Sequence, residues 1–100
     1  MKQIITIVRP HLAEHVLASL RRAPMEALTV TEVKGFGRQK SYLDEYQETE
    51  YSTAFLPKIE IKIWVDDSRT DEILDKIIAV ARSGRIGDGK IFVTSVGAFI

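Results

Sequence analysis

The chain has 100 residues, of which 45% are apolar and 28% charged, and 14 basic side chains balance 14 acidic ones. This length predicts one small domain with a single core, and the zero formal charge argues against a general nucleic-acid binder, which normally carries a basic surplus. The sequence has no cysteine, which excludes a disulfide framework and a thiolate zinc site. Because no apolar run reaches membrane-spanning length and no signal peptide precedes the domain, we expect a cytoplasmic protein without direct membrane insertion.

The first half of the chain predicts a strand, a helix and a second strand. Residues 1–8 are rich in β-branched side chains, and this strand ends at Pro10 because proline has no amide to donate to a ladder. Apolar residues at helical spacing predict a helix over residues 11–22. A stretch rich in valine and threonine predicts the second strand over residues 27–34.

The second half of the chain repeats this order. Strict alternation of isoleucine and valine with other residues predicts a third strand over residues 59–65. Residues 66–68 offer N-cap side chains for a second helix, whose apolar stripe covers residues 73–81, and residues 90–96 predict the last strand. The order β-α-β-β-α-β predicts an α+β, ferredoxin-like fold with both helices on one face of a four-stranded sheet.

The first and last predicted strands have apolar residues on both faces, as Ile4, Ile5, Phe92 and Val93 illustrate. Two helices can cover only one face of the sheet, and monomers rarely expose a large apolar patch. We therefore expect the other face to meet further copies of the chain in a homo-oligomer of closed symmetry.

The predicted connection between the second and third strands covers residues 36–56, far more than the roughly two to five residues of a hairpin loop. It contains all three tyrosines of the chain, Tyr42, Tyr46 and Tyr51, and more acidic than basic side chains. Long loops in compact domains mostly have a function, which favours a mobile recognition loop. A strand pair that extends into the solvent is the alternative interpretation.

Residues 84–90, with the sequence GRIGDGK, are close to a phosphate-binding P-loop but do not form one. Ile91 stands where that motif needs serine or threonine, and the segment follows a helix and opens a strand, the reverse of the P-loop context. Three glycines with Arg85 and Lys90 still suit an anion, because backbone amides can converge there. An ordinary helix-to-strand turn explains the pattern equally well.

A second glycine cluster, residues 35–37, follows the second strand and leads into Arg38 and Lys40. Together with Arg85 and Lys90, these residues suit several phosphates if the fold brings both clusters to one cleft between subunits. Spacing along the sequence does not establish that the clusters meet.

His11, Glu14 and His15 fit the H-x-x-E-H pattern of one group of zinc peptidases, which would make the chain a small metallohydrolase. A catalytic zinc also needs a third protein ligand, and the chain has no other histidine. An exposed helix start without a ligand is the favoured interpretation. Metal binding through His11 and His15 without catalysis is an intermediate interpretation. Finding Glu14 on an open helix surface would exclude the enzyme.

Three motifs carry a resemblance to a known protein family. They are residues 29–40 (TVTEVKGFGRQK), Glu50-Tyr51 followed by residues 55–58 (FLPK), and residues 84–93 (GRIGDGKIFV). In this order and spacing, from the first strand to about Val96, the chain resembles the nitrogen regulatory PII signal-transduction proteins. The resemblance implies one ferredoxin-like domain over residues 1–100, assembled as a homotrimer, that is not an enzyme and binds ATP or ADP in each of three clefts between subunits.

The resemblance also implies roles for two loops. Residues 37–55 correspond to the T-loop of the family, which docks on a target protein such as an enzyme, a regulator or a membrane transporter. Residues 83–90 correspond to its B-loop, and Tyr51 matches the tyrosine that is uridylylated in some members. These matches imply control of a partner in nitrogen or related metabolic regulation.

Ligand-binding residues follow from the same matches. Thr29 would contact the adenine, and Gln39 and Lys58 match the positions that hold a magnesium ion and 2-oxoglutarate beside ATP. The residues that would surround the ribose and phosphates are Gly37, Arg38, Gly87, Asp88, Gly89 and Lys90.

The chain departs from the family pattern at several positions. It ends at Ile100, before the two arginines that usually follow the fourth strand and bind the phosphates, so we expect weaker binding of ATP or ADP. Lys62 reverses a usual acidic charge, and Trp64 is bulkier than the usual aliphatic residue. These departures favour altered ligands or targets, and the alternative function is a PII-like sensor of another small anion or of a metal ion.

Overall fold

The computed structural model describes residues 1–35, 56–82, 89–98 and 100. Within these ranges, four strands and two helices follow each other in the predicted order, and a short 3-10 turn precedes the second helix. The elements are β1 (Lys2–Val8), α1 (Pro10–Ser19), β2 (Ala27–Gly35), β3 (Leu56–Val65), the 3-10 turn (Asp67–Arg69), α2 (Thr70–Ala81) and β4 (Gly89–Ser95). Neither α1 nor α2 is long and apolar enough to cross a membrane.

These strands join one antiparallel sheet in the order β2-β3-β1-β4. β1 lies inside the sheet, where Ile4 pairs with Ile63 of β3 on one side and with Val93 of β4 on the other. β2 pairs with β3 up to Gly35, which lies opposite Leu56. The predicted α+β, ferredoxin-like fold is therefore confirmed, while the predicted trimer stays a prediction.

α1 is shorter than predicted and ends at Ser19. The backbone nitrogen of Leu20 lies 3.2 Å from the carbonyl oxygens of both Val16 and Leu17, a shared bond that is common where a helix tightens at its end. The chain then runs toward Pro24, and helical backbone is disfavoured before a proline. The apolar stripe alone therefore overestimates the length of this helix.

β3 is longer than predicted and begins at Leu56. Pro57 lies opposite Lys34 of β2, whereas the pairing with β1 stops at Val8 opposite Ile59. β1 does not extend as far as Pro57. No hydrogen bond to β1 is therefore lost because proline lacks an amide. A proline is thus compatible with this end of an inner strand.

The two helices cover one face of the sheet and form the core with it. Ile61 and Ile63 of β3 are fully buried and belong to one cluster with Val16 of α1 and with Ile73 and Ile77 of α2. Full burial of one such side chain stabilises the fold by roughly 1.5–3 kcal/mol. The apolar side of the predicted third strand is therefore the centre of the core.

The opposite face of the sheet, which we call the open face, is formed in part by Ile5, Ile7, Trp64 and Phe92. The first three of these side chains are half-buried, and Phe92 is 50% exposed. Both described helices pack on the other side of the sheet. Apolar residues thus occupy both faces, as the sequence predicts.

Asp66 holds the turn that precedes α2. Its carboxylate accepts hydrogen bonds from the hydroxyl of Ser68 and from the Ser68 amide nitrogen, which is 2.9 Å away. Asp66 therefore caps the 3-10 turn and not α2 as predicted, since the N-cap residue of α2 is Arg69, which makes no side-chain cap bond. The hydroxyl and then the amide of Ser68 hold the pKa of the Asp66 carboxyl below its usual value. The neighbouring Asp67 carboxylate lies 2.9 Å from the Met1 amino nitrogen and ties the start of β1 to this turn.

Thr6 places a hydroxyl group in the core. It is fully buried on the helix-covered face of β1, and its hydroxyl oxygen has no hydrogen-bond partner among the described residues. A buried polar group without a partner costs about 1–3 kcal/mol, and valine replaces the hydroxyl with a methyl group of similar size. We expect Thr6→Val to raise the free energy of unfolding by about 1 kcal/mol, measured by urea denaturation at a fixed protein concentration.

Thr70→Val is the matched control for this substitution. Thr70 is also buried, but its hydroxyl donates a hydrogen bond to the Asp66 carbonyl oxygen at 3.2 Å. We expect this change to lower the free energy of unfolding by about 1 kcal/mol, because the bond is lost. If Thr6→Val destabilised the protein to the same extent, Thr6 would not be an unpaired group.

Candidate functional site

Both glycine clusters connect to the same end of the sheet, which we call the loop end. Because the strands are antiparallel, the ends of β2 and β1 at Gly35 and Val8 lie beside the starts of β3 and β4 at Leu56 and Gly89. The connection over residues 36–55 therefore leaves and re-enters the sheet at the loop end. The glycine-rich segment of residues 84–90 reaches the same end where β4 begins at Gly89, so the fold does bring the attachment points of both clusters to one side of the molecule.

Only part of the predicted ligand set lies in the described residues. The structure gives positions for Thr29, Lys58, Gly89 and Lys90. The other predicted residues lie outside the described ranges, and they are Gly37, Arg38, Gln39, Tyr51, Gly87 and Asp88. The roles of all these residues stay predictions.

Of the residues that the structure describes, four basic ones lie at the loop end. Lys34 and Lys90 are exposed at the end of β2 and the start of β4, Lys58 is buried near the start of β3, and Arg9 directly follows β1. Lys34 and Lys58 add positive charge on the β2–β3 side of the loop end, and Arg9 and Lys90 on the β1–β4 side, even though the chain as a whole is neutral. Arg9 and Lys34 were not predicted as site residues, because their proximity follows from the strand register and not from spacing along the chain.

Thr29 and Lys90 lie on opposite edges of the sheet. Thr29 is exposed on β2 and Lys90 is exposed on β4, with β3 and β1 between them. At roughly 4.8 Å per strand, the two edges are about 14 Å apart. One copy of the chain therefore does not bring these two predicted ligand residues to the same base or phosphate group.

Lys62 is the register partner of Thr29 in the sheet. Its ammonium nitrogen lies 3.6 Å from a carboxylate oxygen of Glu60, the next residue but one along the open face of β3. A partly exposed pair of this kind adds little to stability. The pair does affect what can bind, because a ligand packed against Thr29 would contact two charged side chains and not an apolar surface.

The remaining predicted site lies on α1. His11, Glu14 and His15 are exposed, on the side of the helix opposite its buried residues Ala13 and Val16. Across the part of the chain that the structure describes, no group of three or more His, Cys, Asp or Glu side chains is arranged to hold a metal ion. Because Glu14 lies on an open helix surface, the metallohydrolase interpretation is wrong.

Known proteins match this chain over most of its length. The family model described as nitrogen regulatory protein P-II matches residues 1–100. The chain is 47% identical over 96 residues to the nitrogen regulatory protein P-II of Nostoc punctiforme, which covers 96% of this chain and 86% of that relative. It is 42% identical over 100 residues to the protein of the same name from Synechocystis sp., covering 100% of this chain and 89% of the relative. It is also 45% identical over 96 residues to nitrogen regulatory protein GlnK of Escherichia coli, covering 96% and 86%.

Proposed function

Since the chain belongs to the nitrogen regulatory protein P-II family, we propose that it is a trimeric signal-transduction protein that binds ATP or ADP between subunits. Nucleotide binding would bias the conformation of the T-loop, residues 37–55, and thereby control a target protein in nitrogen or related metabolic regulation. The observation that supports this most directly is the loop end, where the two attachment points of the T-loop are register partners with the basic residues Lys34 and Lys58 next to them along β2 and β3. Residues 1–100 would form one domain, with a B-loop at residues 83–90.

The open face supports assembly of three copies. Ile5, Trp64 and Phe92 form an apolar surface there, and symmetric association would remove that surface from water. Association would also let the β2 edge of one copy approach the β4 edge of the next. Thr29 of one subunit and Lys90 of its neighbour would then contact the two ends of one nucleotide.

The proposed nucleotide site combines the described strand residues with the two glycine clusters. Thr29 would contact the adenine, and Tyr51 in the T-loop would be the site of uridylylation. The residues proposed to hold the ribose and phosphates are Gly37, Arg38, Gly87, Asp88, Gly89 and Lys90. These residues suit phosphate groups. Glycine amides donate hydrogen bonds at close range, and the cationic side chains of Arg38 and Lys90 donate stronger, charge-assisted hydrogen bonds.

Lys58 and Gln39 are proposed to hold a magnesium ion and 2-oxoglutarate beside ATP. Lys58 is 6% exposed at the loop end, and its ammonium group could donate a charge-assisted hydrogen bond to a carboxylate ligand there. Magnesium prefers oxygen ligands, which the side-chain amide of Gln39 and the phosphates would supply. Of these two residues the structure describes Lys58, and its burial at the loop end supports the assignment.

Control of the T-loop would follow from the place where it is attached. Gly35 and Leu56 are register partners, so the loop begins and ends at one point of the sheet, next to the proposed ligand site. A ligand can shift the loop only if its affinity differs between the loop conformations. By linkage, a target protein that selects one conformation would change the ligand affinity by the same factor.

Calorimetry with ATP, ADP and AMP on the full chain tests nucleotide binding. We expect ATP and ADP to bind, and Lys90→Gln to weaken ATP binding by roughly ten- to a hundredfold, because a charged hydrogen bond contributes about 1.5–3 kcal/mol. Lys76→Gln is the matched control, since Lys76 is an exposed lysine on α2 and should not affect ATP affinity. If neither heat nor a melting shift appeared at millimolar ATP and ADP, nucleotide sensing would be excluded.

A second candidate function keeps the fold and changes the ligand. The Lys62–Glu60 pair beside Thr29 favours it, because a charged pair alters what can bind against β2 and β3. The protein would then sense another small anion or a metal ion. Calorimetry separates the two candidates, since inorganic phosphate would bind in a Lys90-dependent manner while ATP would not bind.

A further inference from the structure

We propose that His11 and His15 form a divalent transition-metal site on the outer face of α1, independent of the nucleotide site. They are the two histidines of the chain, both are exposed, and they lie four residues apart within Pro10–Ser19. Residues at this spacing have Cβ atoms about 5–6 Å apart on one face of a helix. Two imidazole rings in this arrangement can direct one nitrogen each at the same ion, at the usual distance of about 2.0–2.1 Å.

The helix holds the two histidines in a defined position. Pro10 stands in its first turn, where the ring favours helical backbone, and the Leu12 amide bonds the Arg9 carbonyl oxygen at 2.9 Å. Ala13 and Val16 are buried on the opposite side of α1. The helix therefore cannot rotate the histidines away from solvent without exposing apolar surface.

The charges around the pair permit a cation without dominating its binding. The start of a helix bears a partial positive charge, which opposes a metal ion near His11. Glu14, which is exposed on the same part of the helix, offsets this charge. Arg21 lines the groove beside His15 and acts in the other direction. The two nitrogen ligands, and not the local net charge, therefore decide which ion binds.

The donor set selects a class of metal. Imidazole nitrogen suits Zn²⁺, Ni²⁺ and Cu²⁺, whereas Mg²⁺ and Ca²⁺ prefer oxygen ligands. Because no third protein ligand joins the pair within the described ranges, the remaining coordination positions would be open to water. A groove of about 570 Å³ beside His15, lined also by Glu14 and Leu17, leaves room for those waters.

Titration of the untagged full chain with Ni²⁺ and with Zn²⁺, followed by calorimetry, tests the site. We expect one ion per chain, and we expect His11→Ala and His15→Ala each to weaken binding at least about tenfold. An excess of Mg²⁺ should not compete. ATP calorimetry on the same variants should be unchanged, which separates this proposal from the proposed nucleotide function.

The double variant His15→Ala with Ala18→His is the matched control. It keeps two histidines on exposed positions of α1, but seven residues apart, which is about 10.5 Å along a helix and too far for both rings to hold one ion. We expect it to bind as weakly as His15→Ala alone, with the fold checked by circular dichroism. Absence of binding by the unaltered chain, or equal binding by the unaltered chain and the double variant, would overturn the proposal.

Discussion

Phe92→Glu is expected to convert the proposed trimer into monomers. Phe92 is 50% exposed on the open face, where it is the register partner of the half-buried Ile5. A glutamate at this position would lose its water in a subunit interface, and burying an unpaired charge costs on the order of several kcal/mol. Size-exclusion chromatography with light scattering measures the mass directly.

Ile78→Glu is the matched control for that experiment. Ile78 is 36% exposed on α2, the side of the molecule opposite the open face, so the same glutamate should leave the trimer intact. Circular dichroism of both variants shows whether the fold persists. A Phe92→Glu protein that remains trimeric, or an unaltered chain that is a monomer, would exclude the open face as the interface.

The same variant connects assembly with ligand binding. In one copy, Thr29 and Lys90 lie on opposite edges of the sheet, about 14 Å apart by the spacing of the strands. If the nucleotide site draws on both edges, monomeric Phe92→Glu should lose most of its ATP affinity, although neither glycine cluster is altered. Retention of full affinity in the monomer would mean that one copy forms the whole site.

The order of elements could be predicted because each element has a strong period of its own. Ile59, Ile61, Ile63 and Val65 alternate without interruption, and only strand geometry places all four on one face. The ends of the elements were harder to predict, because they depend on which strand lies alongside. β3 reaches back to Leu56 since β2 runs beside it, and that pairing is not visible in the periodicity of either strand.

The candidate site was predictable in its chemistry and less so in its composition. Glycine amides and basic side chains indicate an anion, but they suit any phosphate equally well. The prediction of a nucleotide therefore rests only on the family resemblance. Arg9 and Lys34 join the loop end through the strand register. Thr29 showed no chemical signal of its own, since an exposed threonine on an edge strand is common in any sheet.

Ile61→Ala is expected to lower the free energy of unfolding by about 2–5 kcal/mol. Ile61 is fully buried at the centre of the core, between the sheet and both helices. The substitution removes apolar surface and leaves a cavity that close-packed neighbours fill only in part. Urea denaturation at one protein concentration measures the effect, and the concentration must be fixed because subunit association would contribute to the apparent stability.

Val30→Ala is the matched control, because Val30 is the register partner of Ile61 on the same face of the sheet. It is 48% exposed on the edge strand β2, so its truncation should cost less than about 1 kcal/mol. Both substitutions lower strand propensity in a similar way, and their difference therefore measures burial by the helices. Equal losses would mean that Val30 is buried as fully as Ile61, which would contradict the exposure of β2 on the helix-covered face.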